Sequence, residues 1–160
     1  MTLDRLRPLA NRMLEPFVAL SVRLGLTPNA VSVLAFGFAI LAAVTFALAG
    51  RNPLWYLLGA VLVFANGWLD LLDGSLALRL GTESAAGDFL DHVLDRYADI
   101  VMVVGLAWGV DRWQLGLAAI TGVLMTSYLG TQTQAVGLDR NYGGLLGRAD
   151  RLALIGVGAV

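Results

Sequence analysis

An all-α integral membrane protein is the fold class this sequence predicts, and three observations carry it. Of the 160 residues, 58% are hydrophobic and only 14% are charged, against about 25% charged in ordinary soluble domains. Mean hydropathy is +0.72. Apolar runs of roughly the ~20 residues that cross a bilayer recur along the chain, separated by short polar joints.

The elements follow in order. In residues 3–24, Leu3, Leu6, Leu9, Met13 and Phe17 recur at three- and four-residue steps, with Arg5, Arg7, Arg12 and Arg23 between them. That spacing predicts an amphipathic helix lying in the membrane interface. The same pattern also suits a helix packed against the cytosolic face. Thr27 is the expected N-cap of the first span, with Pro28 in its first turn. Residues 29–50 carry no charge and form that span. Residues 53–78 form the second, apolar as far as Asn66 and then carrying Asp70 and Asp73. Residues 87–110 form the third, acidic in the first half and apolar in the second, and residues 113–136 the fourth, turning polar from Ser127 to Gln134. A further apolar run starts at Leu152 and reaches Val160, too short to cross. Residues 1–160 are therefore expected to form a single membrane domain, truncated within its fifth span.

Composition narrows the function. Net charge is −1, so no global basic field recommends nucleic acid as a partner. Cys is absent, which excludes disulfides and thiolate-bound zinc. All eleven basic residues are Arg, and no short apolar leader follows the N-terminus. With the N-terminus inside, Arg5, Arg7, Arg12, Arg23, Arg79, Arg140, Arg148 and Arg151 fall on the cytoplasmic side, and Arg51 and Arg112 outside. This bias predicts that orientation in the cell membrane, with the acidic ends of spans two and three at the cytoplasmic face.

Those acids are the centre of the reading. A carboxylate near hydrocarbon costs at least ~2.5 kcal/mol on insertion scales. Asp70 and Asp73 are three residues apart, and Asp91 and Asp95 four apart, so each pair shares one helix face. Asp88 and Asp99 extend the second stripe. A short joint, about Leu80 to Ala86, makes the two helices antiparallel neighbours. Facing carboxylate pairs build an all-oxygen site, which suits Mg²⁺, Mn²⁺ or Ca²⁺ rather than zinc. Gly74 and Gly87 let a ligand or a second helix approach closely. The competing explanation is a set of ion pairs with Arg79 and Arg96. Arg96 is read as balancing nearby acids, and His92, the only histidine, as structural.

The pattern Asp70-x2-Asp73-Gly74-x2-Ala77, then Gly87-x3-Asp91-x3-Asp95, resembles the signature of the CDP-alcohol phosphotransferases, D-x2-D-G-x2-A-R-x8-G-x3-D-x3-D. The segment Thr27-Pro28-Asn29-Ala30-Val31-Ser32 also resembles one common in that family. One position departs. The family's Arg stands at position 78, where this chain has Leu78, and Arg79 lies one step, ~100°, further round the helix. The resemblance implies a six-helix membrane enzyme, usually a homodimer. It would transfer a phosphatidyl-type group from a CDP-linked lipid to a small polar alcohol and release CMP, in phospholipid synthesis. It implies Asp70, Asp73 and Asp91 as ligands of Mg²⁺ or Mn²⁺ and Asp95 as the general base. It further implies Asp70, Gly74, Ala77, Gly87 and Asn29 as the CDP cleft.

The acceptor site is expected beside spans four and five. Arg148 and Arg151, three apart at a helix start, suit an acceptor phosphate, with Gln132 at the end of span four. The arrangement is similar to inositol-phosphate-using members of the family. The same arginines also suit an ordinary positive-inside cluster. A phosphorylated polyol (inositol phosphate or glycerol phosphate) is the expected acceptor, with serine still open. Two other readings stand beside the enzyme: a non-catalytic or fragmentary relative, motivated by Leu78, and a divalent-cation transporter.

Overall fold

The computed structural model describes residues 7–50, 52–137 and 148–158, and these are helices joined by short turns. Six helices follow in order: α1 (Arg7–Arg23), α2 (Pro28–Leu48), α3 (Leu54–Leu80), α4 (Ala85–Gly109), α5 (Trp113–Ala135) and α6 (Arg148–Gly158). Leu3, Leu6 and Arg140 lie outside the described residues. The predicted spans appear as α2 to α5 with their ends shifted by a few residues. Among the described residues, α2 and α3 are each long and apolar enough to cross a membrane. Helices α4 and α5 have 25 and 23 residues, enough at 1.5 Å per residue for a ~30 Å hydrocarbon layer. The acids in the first half of α4 and the polar end of α5 lower their hydropathy.

Local chemistry explains the boundaries. Thr27 caps α2, its hydroxyl accepting from the Ala30 amide at 3.3 Å, with Pro28 in the first turn. Helix α3 stops at Gly81, whose φ of 63° is left-handed. The Thr82 amide then reaches back to the Ala77 carbonyl at 3.1 Å and closes a Schellman turn. Ser84 caps α4 by accepting from the Gly87 amide at 3.1 Å. Asp88 in that first turn complements the helix dipole. The α3–α4 joint is thus as tight as expected.

Packing converges on α2. Ala39, Ala42 and Phe46 of α2 meet Val63 of α3, Ala98 and Met102 of α4 and Leu152 of α6 in one buried cluster. Gly59 gives the Phe46 ring its seat, and Gly105 and Gly109 lie against the α2 backbone at Ala43 and Phe46, where a Cβ has no room. These glycines let helices approach without a dominant hydrophobic drive between them. A second cluster docks α1, with Leu14 and Val18 against Val31, Leu72 and Leu76. Phe17 meets Trp68 edge-on at 5.6 Å. Another side of α1 exposes Met13 and Leu20, and Leu24 just beyond its end is exposed too, as an interfacial helix does.

The outer surface is apolar. Val33, Leu34, Ile40, Leu41 and Val44 of α2, with Leu57, Val61 and Phe64 of α3, are exposed. Such continuous apolar faces belong against lipid. Helix α6 begins at Arg148, four residues before the apolar run that announced it. It lies against α3, with a Leu152 methyl over Gly67 and Gly156 near the Ala60 carbonyl. That order runs α6 antiparallel to α3 and brings its first turn towards the height of Asp70 and Asp73.

Candidate metal and nucleotide site

The two acidic pairs meet. One oxygen from each of Asp70, Asp91 and Asp95 lies within 4.8 Å of the other two. Oxygen ligands of a divalent cation sit about 2.0–2.6 Å from it, so no two can be much more than ~5 Å apart. The three carboxylates satisfy that test. They line a small, partly open cavity with Asp73, Ser32, Ala35, Phe36, Asn66, Leu94 and Ala98. Helices α2, α3 and α4 each contribute to the wall.

Asp73 lies in the same cavity but outside that trio. It is buried, and its Oδ2 accepts a 2.6 Å hydrogen bond from Ser32 Oγ. That length is in the range of charge-assisted O–H···O⁻ bonds. Ser32 entered the sequence reading only as part of a segment, and this hydroxyl gives it a specific task. Asn66 went unassigned there. It is 1% exposed, and its Nδ2 donates to the Ala35 carbonyl at 2.9 Å. Only its position within an apolar span could have marked it.

The remaining acids separate from the site. Asp99 is buried and accepts from Arg96 Nη1 at 3.2 Å. Arg96 Nη2 is 3.7 Å from Asp95, so Arg96 balances acids on its own helix, as expected. Asp88 is largely exposed beside His92, whose Nδ1 lies 2.8 Å from the Asp88 carbonyl oxygen. Neither residue lines the cavity.

The expected nucleotide-cleft residues stand at the joint end of α3 and α4. The Asn29 side-chain oxygen comes within 3.4 Å of where a Gly87 Cβ would stand, and Gly74 faces open space. Leu78 is exposed. Arg79 Nη1 lies 3.7 Å from Glu15 of α1, which directs it to α1. Gln132 is exposed on the last turn of α5. Arg148 and Arg151 belong to the first turn of α6, and their side chains fall outside the described part of the structure.

Three carboxylates this close repel one another strongly in a low-dielectric wall. A divalent cation removes that repulsion, and its pull on phosphate oxygens is the chemistry a pyrophosphate donor requires. Residues 25–159 match the CDP-alcohol phosphatidyltransferase family model. The chain belongs to this family. It is similar to archaetidylinositol phosphate synthase of Pyrococcus horikoshii, at 30% identity over 96% of this chain and 79% of that one. It is also similar to the crystal structure of Mycobacterium tuberculosis phosphatidylinositol phosphate synthase with CDP-DAG bound. That match has a TM-score of 0.78 and 29% identity, over 92% of this chain and 75% of that one. The Mycobacterium tuberculosis enzyme in complex with manganese and citrate matches with the same TM-score, 0.78, and 29% identity, over 91% of this chain and 71% of that one.

As a CDP-alcohol phosphatidyltransferase, the protein is a membrane-embedded, metal-dependent enzyme of phospholipid synthesis. It transfers a phosphatidyl-type group from a CDP-linked lipid to an alcohol and releases CMP. The divalent metal is Mg²⁺ or Mn²⁺, to which the oxygen donor set is suited.

Proposed function

We propose that the acceptor is a phosphorylated polyol of the inositol phosphate kind, that Asp70, Asp73 and Asp91 hold the divalent metal, and that Asp95 takes the proton of the attacking hydroxyl. The observation that carries this reading is that Asp70, Asp73, Asp91 and Asp95, from two helices of one hairpin, line one cavity, with Asp70, Asp91 and Asp95 within 4.8 Å of one another.

The division of labour follows from the chemistry. When bound, the metal neutralises the donor pyrophosphate and makes CMP a competent leaving group. Ser32 fixes one oxygen of Asp73, which lines the same cavity as the other three carboxylates. Asp95 is two helical turns from Gly87 and stands inside the cluster. A carboxylate there is within reach of a hydroxyl aligned on the donor phosphorus, and proton removal by a positioned base accelerates attack. Asp70, Gly74, Ala77, Gly87 and Asn29 bound the nucleotide end.

The relatives' names, archaetidylinositol phosphate synthase and phosphatidylinositol phosphate synthase, support an inositol phosphate acceptor. So does the approach of α6 to α3, which carries the start of α6, with Arg148 and Arg151, towards the level of the carboxylates. Gln132 at the end of α5 completes this polar side. The arginine distribution favours a site facing the cytoplasm. The chain functions as one membrane domain and pairs as a homodimer. Gly105 and Gly109 are already used within the protomer, whereas Gly37 has open space where a Cβ would stand and is available to a second copy.

The test is CMP release by the purified protein in detergent with Mg²⁺ or Mn²⁺, from CDP-diacylglycerol and from CDP-archaeol. Inositol phosphate, glycerol phosphate, serine and inositol serve as acceptors. Chelator-sensitive release that depends on inositol phosphate is expected. Release driven equally by serine or glycerol phosphate would overturn the acceptor assignment, and Asp95→Asn with normal turnover would overturn the base.

A further inference from the structure

The wall of the metal cavity contains one polar atom that the transfer chemistry above leaves unused. Asn66 sits one helical turn before Asp70, on the same face of α3. Its Nδ2 donates to the Ala35 carbonyl of α2 at 2.9 Å. That bond fixes which end of the amide is oxygen, since the reverse orientation would set oxygen against oxygen. The Oδ1 atom is buried and has no hydrogen-bond partner, and Asn66 lines the cavity with the four carboxylates.

The groups around Asn66 cannot satisfy that oxygen. Asp70, Asp73, Asp91 and Asp95 are acceptors when ionised. Ser32 gives its only hydroxyl proton to Asp73. Ala35, Phe36, Leu94 and Ala98 bring apolar side chains. Buried amide oxygens are satisfied in nearly all native structures, so this one awaits a donor that arrives with a ligand. Magnesium and manganese in carboxylate sites keep part of their water shell, and those waters are strong donors.

We propose that Asn66 completes the cation site, its Oδ1 accepting a hydrogen bond from a water carried by the divalent metal. This rests on the reading of Asp70, Asp73 and Asp91 as the metal ligands. Asn66 is a positioning residue: one helical turn before Asp70, it would orient a water of the metal's shell without binding the metal itself.

The experiment is Mn²⁺ titration of the purified full chain in detergent, followed by electron paramagnetic resonance, on the wild type, Asn66→Leu, Asn66→Asp and Asp91→Asn. Asn66→Leu is expected to weaken Mn²⁺ binding by about 10- to 100-fold, the usual effect of losing such a partner. Asn66→Asp keeps an acceptor oxygen but loses the Nδ2 donor, and it is expected to bind Mn²⁺ at least as tightly as the wild type. Unchanged affinity in Asn66→Leu would overturn the proposal. So would weakened binding in Asn66→Asp, which would assign the residue to its Ala35 bond alone. Should Asn66→Leu fail to fold, Asn66→Asp against the wild type decides by itself. Equal Mn²⁺ binding by the wild type and Asp91→Asn would instead remove the carboxylate reading on which the proposal stands.

Discussion

Ser32 Oγ lies 2.6 Å from Asp73 Oδ2 and 3.2 Å from the Pro28 carbonyl oxygen, and its single proton goes to the carboxylate. This bond joins the first turns of α2 to the acidic end of α3. It holds a carboxylate that the helix backbone alone would leave to rotate. Hydrogen bonds to charged groups contribute about 1.5–3 kcal/mol. Ser32→Ala is therefore expected to lower kcat/KM by about 10- to 100-fold and to raise the Mg²⁺ concentration that activity requires. Ser32→Thr, which keeps the hydroxyl, is expected to stay near the wild type. Steady-state kinetics across a Mg²⁺ series distinguishes the two.

Asp95→Asn is expected to abolish transfer while leaving metal-dependent binding of the CDP-lipid largely intact. The amide keeps the shape of the carboxylate but cannot take a proton. Calorimetric binding of CDP-diacylglycerol, alongside a CMP-release assay, checks both halves. Loss of binding together with activity would make Asp95 a metal ligand, a role that its place in the 4.8 Å cluster also permits.

Gly105 has no space for a Cβ because the Ala43 backbone stands there, whereas Gly37 has nothing within 4 Å. Gly105→Val is expected to destabilise the fold by about 1–3 kcal/mol through overpacking. Gly37→Ala is expected to be neutral or to stabilise by less than ~1 kcal/mol from helix propensity. Thermal unfolding in detergent measures both. A Gly105→Val midpoint equal to the wild type would mean that α2 and α4 separate more easily than their packing implies.

Arg79 and Leu78 differ in what they contribute at the family's Arg position. The Arg79–Glu15 pair spans 3.7 Å, with both side chains more than half exposed. Arg79→Ala is expected to cost at most ~1 kcal/mol of stability and to leave transfer near the wild-type rate. Leu78→Arg restores the family pattern at an exposed position on α3 and is expected to lower the KM for the CDP-lipid. A large fall in activity in Arg79→Ala would show that this neighbour had taken over the missing arginine's work.

Much of this arrangement was legible in the chain. The Thr27 cap, the Gly-marked joint between α3 and α4, and the two acidic pairs each leave a short-range pattern that physics ties to one structure. The contacts that depend on a third helix left no such pattern. Ser32 and Asn66 are single polar residues inside apolar runs, and only α2 packing on α3 gives them partners. Gly105 and Gly109 carry no local mark of the α2 backbone that lies against them. The start of α6 at Arg148 is marked by its two arginines and not by hydropathy, because its first turn is polar and the apolar run begins only at Leu152.

Every carboxylate of the site belongs to one helical hairpin, closed by the turn from Gly81 to Ser84, and α2 supplies the facing wall. Among the described residues, α5 and α6 contribute no side chain to that cavity. Under the proposed acceptor assignment, the half of the reaction that expels CMP and the half that chooses the alcohol belong to different lengths of chain. On that assignment, substitutions in α5 and α6 are expected to change which headgroup a membrane receives while the hairpin goes on performing the same displacement.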